Sequence, residues 1–212
     1  MNDSLKPSRY PNRVTHEPAE INAVLDEARF CTVAYCQDDV PFQIPTGFCR
    51  IGSKVYIHGS SKSHFLKGLN NGSIVSLSVM LYDGLILAPT AFNHSVNYRS
   101  VVLFSKASTV EDIDKKRQVL EVFVEKYVPG RMTDLENPTD EELSVTDVIE
   151  FTTDKASLKI RTGGVGVDVS KQDMWCGVIP VSEVYGEPVM DAKSKPEIDL
   201  PDYLKNFEPN NI

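Results

Sequence analysis

The sequence predicts a mainly β protein, an antiparallel barrel with peripheral helices. Three observations carry this. About seven stretches have strand length and strand periodicity. The clearest is Ser73 to Leu81, where Val75, Leu77, Val79 and Leu81 point one way and Ser76 and Ser78 the other. Neighbouring stretches are mostly joined by turns such as Asp38-Asp39 and Gly52-Ser53, too short for a parallel crossover. Helical periodicity is confined to a few segments between strands, without the sustained βαβαβ alternation of a parallel sheet.

The 212 residues read as one domain, with an arm over residues 1–13 and an extended tail over 188–212. Pro7 and Pro11 resist helix in the arm, where Arg9-Tyr10 either folds back over a pocket or hangs loose. A helix follows from about Glu17 to Ala28, with Pro18 in its first turn and Ile21, Val24, Leu25 and Ala28 at helical spacing. Phe30 to Cys36 is a strand. Val40 to Ile51 reads as the next strand, interrupted by Pro41 and Pro45, which place it at an edge or a bulge. Lys54 to His58 is a third strand, and a short helix after it ends at Asn70-Asn71-Gly72.

Beyond Leu81, Asp83-Gly84 reads as a tight turn and Leu85 to Ala91 as a short apolar stretch. Asn97 begins a strand running to about Val110. Asp112 can cap a helix that Pro129-Gly130 stops after Tyr127, and Thr139 with Glu142 forms a capping box. Val148 to Arg161 reads as one long strand, with Lys159 and Arg161 either on a solvated face or near a ligand. Gly163-Gly164-Val165-Gly166 lacks the strand-to-helix unit of a dinucleotide fingerprint. Trp175 to Val181 is the final strand.

Composition limits the function. A net charge of −8 and a pI of about 5.0 argue against a broad nucleic-acid surface, but leave room for one small anion in a local basic pocket. No apolar run approaches the ~20 residues of a membrane span, and the first residues lack the apolar segment of a secretory signal. Cys31, Cys36, Cys49 and Cys176 form neither a C-x-x-C pair nor a zinc spacing, so reduced thiols and a cytoplasmic location are expected. The four histidines make no metal motif.

Three places offer similar chemistry. The strand ending at His58 empties into a turn with Ser60, Ser61, Lys62 and Ser63 before a helix start, which suits a phosphate. The plainer reading is a serine cap with a solvated lysine. Gln43-Ile44-Pro45-Thr46-Gly47-Phe48 is a strand that proline opens. Asn97-Tyr98-Arg99-Ser100 supplies a carboxamide, a cation and hydroxyls.

These three segments, with the Arg9-Tyr10 arm, Pro129-Gly130-Arg131, the strand Ser157 to Arg161 and Trp175-Cys176-Gly177-Val178-Ile179-Pro180, follow one another in a familiar order. The chain resembles the flavin-nucleotide-binding split-barrel proteins related to pyridoxamine 5′-phosphate oxidase, most of all the branch containing nitroimidazole-resistance proteins. The resemblance implies a split β-barrel, a homodimer and FMN in two clefts between subunits. It implies that Ser61, Lys62 and Ser63, beside Ser60, hold the phosphate. Gln43, Ile44, Pro45, Thr46 and Phe48 would line the ring, and Asn97, Tyr98, Arg99 and Ser100 would approach ring or phosphate. His58 would sit near the flavin, and Trp175 would come from the partner subunit. The expected function is an FMN-dependent oxidoreductase acting on a small organic acceptor. The alternative is a flavin- or haem-binding storage or sensor protein, with His58, His64 and His94 available to haem. The Arg-x-His substrate motif of true pyridoxamine-phosphate oxidases is missing, which puts that reaction in doubt.

Overall fold

In the computed structural model, residues 10–69, 72–195, 197–205 and 207 are described. Pro7, Arg9, Asn70 and Asn71, named above, lie outside these. The strands are β1 (Val14–Thr15), β2 (Phe30–Gln37), β3 (Val40–Gly47), β4 (Cys49–Ile51), β5 (Lys54–Ser60), β6 (Ile74–Leu87), β7 (Ser95–Lys106), β8 (Ser108–Thr109), β9 (Thr146–Thr152), β10 (Ala156–Arg161) and β11 (Gly177–Pro180). The helices are α1 (Pro18–Glu27), α2 (His64–Leu69), α3 (Ile113–Tyr127) and α4 (Asp140–Ser144). Every strand pairing is antiparallel. A seven-stranded sheet has the order β1-β10-β7-β6-β2-β3, with β11 on the free stretch of β6, and a four-stranded sheet has the order β4-β5-β9-β8.

Two apolar runs that read as single strands pass from one sheet to the other. Val40 to Ile51 splits at Phe48 into β3 and β4. Val148 to Arg161 splits at 153–155 into β9 and β10. The strand from Asn97 crosses in the same way, from β7 to β8 at Ala107. Periodicity cannot see these corners, because the same inward residues serve both sheets. Leu77, Leu103 and Leu158 of the large sheet and Val55, Ile57 and Phe151 of the small one meet in one core cluster with Leu25 of α1.

The opposite correction applies at Asp83-Gly84. It is not a turn but an irregularity inside one 14-residue strand, where the β6–β7 register shifts between Tyr82 and Gly84. Gly84 is required there because β11 comes close: a Cβ would lie 3.0 Å from the Ile179 carbonyl oxygen. Trp175 and Cys176 precede the last strand rather than belong to it.

The β2–β3 hairpin shows why the prolines are tolerated. Asp38 and Asp39 both have positive φ (51° and 62°), as a two-residue primed turn demands. Such a turn makes Gln37 and Val40 a hydrogen-bonded pair. Val40, Phe42, Ile44 and Thr46 then donate toward β2, while positions 41, 43, 45 and 47 face outward. Pro41 and Pro45 therefore occupy edge positions where a missing N–H costs no ladder bond. Helix ends follow the expected chemistry: Asp112 caps α3 through Lys115 N, and Thr139 and Glu142 close a capping box on α4.

Candidate functional site

The register of the large sheet lays its outward residues out as a grid. One row runs Pro45–Thr32–Ser78–Val102–Ser157 and the next Met80–Ser100–Lys159. A third runs Tyr82–Tyr98–Arg161. Small hydroxyl side chains occupy the centre, with Phe30 (65% exposed) and Met80 (68% exposed) at the rim. Phe30, Thr32, Pro45, Ser78, Met80 and Ser100 line a groove of about 400 Å³ on this face. Pro45 and Ser100, distant in sequence, are thus brought together. Thr32, Met80 and Val102 escaped the sequence reading. Ser78 carried a signal, since its strand was expected to turn a polar face toward something.

Strand alternation divides the Asn97–Ser100 segment. Tyr98 and Ser100 face the groove side, whereas Arg99 points away. Its Nε and Nη2 donate to Asp83 at 3.0 and 2.8 Å, and Nη2 also donates to Glu27 at 2.7 Å. A further Nη1 bond reaches Glu27. Hydrogen bonding to Asp83 first, then Glu27, holds the guanidinium pKa above its ordinary value. Asn97 is buried: its Nδ2 donates to Gly163 O at 3.0 Å and its Oδ1 accepts from Arg161 at 2.9 Å. Arg99 and Asn97 thus have their polar groups used within the fold.

Phe48 is fully buried at the sheet corner. Its N–H donates to Tyr127 Oη at 3.2 Å, and the Lys126 ammonium sits 3.6 Å from its ring centre. Its side chain is core, while its neighbours Gln43, Pro45 and Thr46 lie on the open edge strand. Ile44 packs against the core cluster.

The serine turn leads from β5 into α2, which packs on the core face of the β2–β3 hairpin. Phe65 of α2 contacts Tyr35 (ring centres 5.9 Å apart), and Tyr35 stacks on Phe42 at 5.2 Å, which anchors α2 beside the hairpin. Within the turn, Lys62 N donates to Ser60 Oγ at 3.2 Å, Ser61 N to Val145 O at 2.9 Å, and Ser63 N to Ser60 O at 2.8 Å. Ser63 Oγ caps Leu66 N at 3.4 Å. These bonds fix the turn and leave the exposed Lys62 side chain with no carboxylate partner among the described residues.

His58 is half-buried, edge-on to Phe123 with ring centres 4.5 Å apart. Burial pushes its pKa down, and its buried Nδ1 has no hydrogen-bond partner. Phe123 stacks on Tyr127, and both press on Gly47. Trp175 is 67% exposed and folds over Gly177, away from the Pro45–Ser100 groove in sequence register.

A larger cavity of about 900 Å³ lies between α1, β4 and α3. It contains none of the expected residues. Its Arg50 is paired with Asp26 at 2.5–2.8 Å, and burial pushes Lys126 down to about 8. Acids match its cations, so it suits an anionic cofactor less well than the open hydroxyl face does.

Among the described residues no group of three potential ligands could hold a metal ion, and no helix is long and apolar enough to cross a membrane. No curated protein matches the sequence. Among solved structures, the flavocytochrome Anf3 from Azotobacter vinelandii superposes with a TM-score of 0.88 at 32% identity, covering 96% of this chain and 95% of that one. The FAD and heme binding protein from Mycobacterium smegmatis gives 0.85 at 30% identity, covering 91% and 95%. A 5-nitroimidazole antibiotic resistance protein from Bacteroides thetaiotaomicron, described as putative, shares the fold at 19% identity and a TM-score of 0.59, covering 69% and 86%. The family model described as pyridoxamine 5′-phosphate oxidase matches residues 17–160. With two antiparallel sheets exchanging strands at their corners and that match over most of the β structure, the chain belongs to the pyridoxamine 5′-phosphate oxidase-like family of split-barrel proteins.

Proposed function

We propose that this chain is a flavin-dependent redox protein whose isoalloxazine ring lies on the outward face of the large sheet. The observation that carries the reading is the groove joining Pro45 to Ser100 across β3, β2, β6 and β7. A flat surface of small hydroxyl residues with an apolar rim suits a planar ring that needs a few polar groups at its edge. The exposed Lys62 and the serine turn before α2 supply the charge-assisted donors of a phosphate site. A bound flavin would supply the electron transfer, and the chain positions it and tunes its potential.

Lys159 takes the tuning role. Arg99 is held by two carboxylates and Arg161 by Asn97, while Lys159 stands next to Ser100 across the ladder. An ammonium there favours the anionic reduced ring. Lys159→Met lowers the flavin midpoint potential by about 20–40 mV, the equivalent of ~1–2 kcal/mol for a two-electron couple.

FMN is the expected flavin, and FAD is the flavin named for the Mycobacterium smegmatis relative. Titration of purified protein with each, followed by absorbance and fluorescence, decides between them. Failure to take up either with micromolar affinity overturns the proposal. Two copies form the working unit, with the flavin between them and Trp175 reaching across. The acceptor is a small organic molecule.

The flavocytochrome relative favours a second reading in which haem is also held. A histidine ligand is normally oriented by a hydrogen bond from its other ring nitrogen to a carbonyl. His94 and His16 have that arrangement: their Nδ1 atoms lie 2.9 Å from Thr90 O and Ala156 O. His16 was missed in the sequence, and its signal is purely tertiary. A Soret band on haem addition, lost in one of His16→Ala or His94→Ala, supports this reading. Its absence restricts the protein to flavin.

A further inference from the structure

We infer that the segment between Val181 and Pro201 is a clasp that a second copy of this chain lays across the outward face of the large sheet. The clasp is pinned at both ends. Val181 N donates to Asp83 O at 3.1 Å, beside the β6 irregularity. At the far end Tyr203 packs over Gly130, its Oη donating to Asp134 at 2.5 Å and accepting from Arg131 at 2.8 Å.

Between the anchors the described residues are exposed almost throughout, and the apolar ones conspicuously so: Val184 is 88% exposed and Val189 92%. Tyr185 meets Phe207 edge-on with ring centres 5.3 Å apart and short turns form after Asp191 and Lys195, but Val184 and Val189 gain no burial from their own fold to offset the entropy of ordering them. The same chain carries an apolar-rimmed sheet face, Phe30 and Met80, that the clasp does not cover.

Charge selects the partner. Residues 181–201 hold five acids and two lysines, a net charge of −3. The outward rows of the sheet carry Lys159 and Arg161 and no carboxylate. The clasp leaves its own sheet beside Asp83, at the margin of that face. A two-fold partner therefore presents its clasp to the face it meets, and each copy both gives and receives one. The consequence for ligand binding, a groove completed by the second copy, rests on the flavin reading above. The clasp itself does not.

The test uses full-length chains co-produced with two different affinity tags, only one of them carrying Val189→p-benzoylphenylalanine. After illumination and purification through both tags, cross-links are expected from position 189 of one copy to residues 95–106 or 156–161 of the other. Cross-links confined to one copy, or reaching another surface of the partner, overturn the inference. Independently, Val184→Asp/Val189→Asp should raise the dimer dissociation constant at least tenfold in sedimentation, with the thermal midpoint of the monomer unchanged. An unchanged dissociation constant also overturns it. Flavin uptake measured on the same samples reports the cofactor reading separately.

Discussion

Arg99 and Ser100 are consecutive, yet they serve opposite sides of the large sheet. Arg99 closes a three-way ion cluster with Glu27 of α1 and Asp83 of β6, fastening the first helix to the sheet. Ser100 faces the groove. The two side chains should therefore separate stability from binding. Arg99→Met is expected to cost about 1–3 kcal/mol in urea unfolding, discounted because the pair is roughly a third exposed, with flavin affinity retained in the folded protein. Ser100→Val should leave stability nearly unchanged and weaken flavin binding by about 0.5–1.5 kcal/mol.

Lys62 is the cation left exposed on the serine turn. Lys62→Ala is expected to weaken flavin binding by about 1.5–3 kcal/mol, the scale of a charged hydrogen bond, and isothermal titration reads it directly. Riboflavin, which has no phosphate, should bind wild type and variant alike. Equal loss for riboflavin and phosphorylated flavin would sink the phosphate assignment.

Burial lowers the pKa of His58 in the folded chain, so below about 6.5 the unfolded chain binds the proton more readily. The sign follows: this contribution to stability is present above that pH and is lost as the pH falls. His58→Gln should flatten the decline in urea midpoint between about pH 6.5 and 5. A decline as steep as the wild type's would place the acid-sensitive group elsewhere.

Gly47 ends β3 where the chain turns into the second sheet. A Cβ there would lie 2.7 Å from Tyr127 Oη and 2.8 Å from Phe123 Cζ. Both atoms belong to stacked rings that cannot give way cheaply. Gly47→Ala should cost about 1–3 kcal/mol by overpacking. Because Phe123 also meets His58, it should change the environment of His58 in an NMR pH titration.

Much of the fold was legible. The 3.6-residue spacing in Pro18–Glu27, the cap at Asp112 and the Thr139–Glu142 box announce helices with local chemistry, and the alternation from Val75 to Leu81 announces a strand. The prolines at 41 and 45 mark an edge because a missing N–H is a local fact. Within the candidate site, Pro45 and Ser100 could be named from sequence motifs, and so could the serine turn.

Partnership, by contrast, is set by the folded chain. Nothing local tells that Val40–Ile51 and Val148–Arg161 change sheets, since an inward residue looks the same in either. Nothing local tells that Arg99 is spent on Glu27, 72 positions away, or that Thr32 and Ser78 join Pro45 in one row. Side-chain type and period are properties of the chain. Which donors are already satisfied, and which faces are left open, depends on contacts between residues far apart in it.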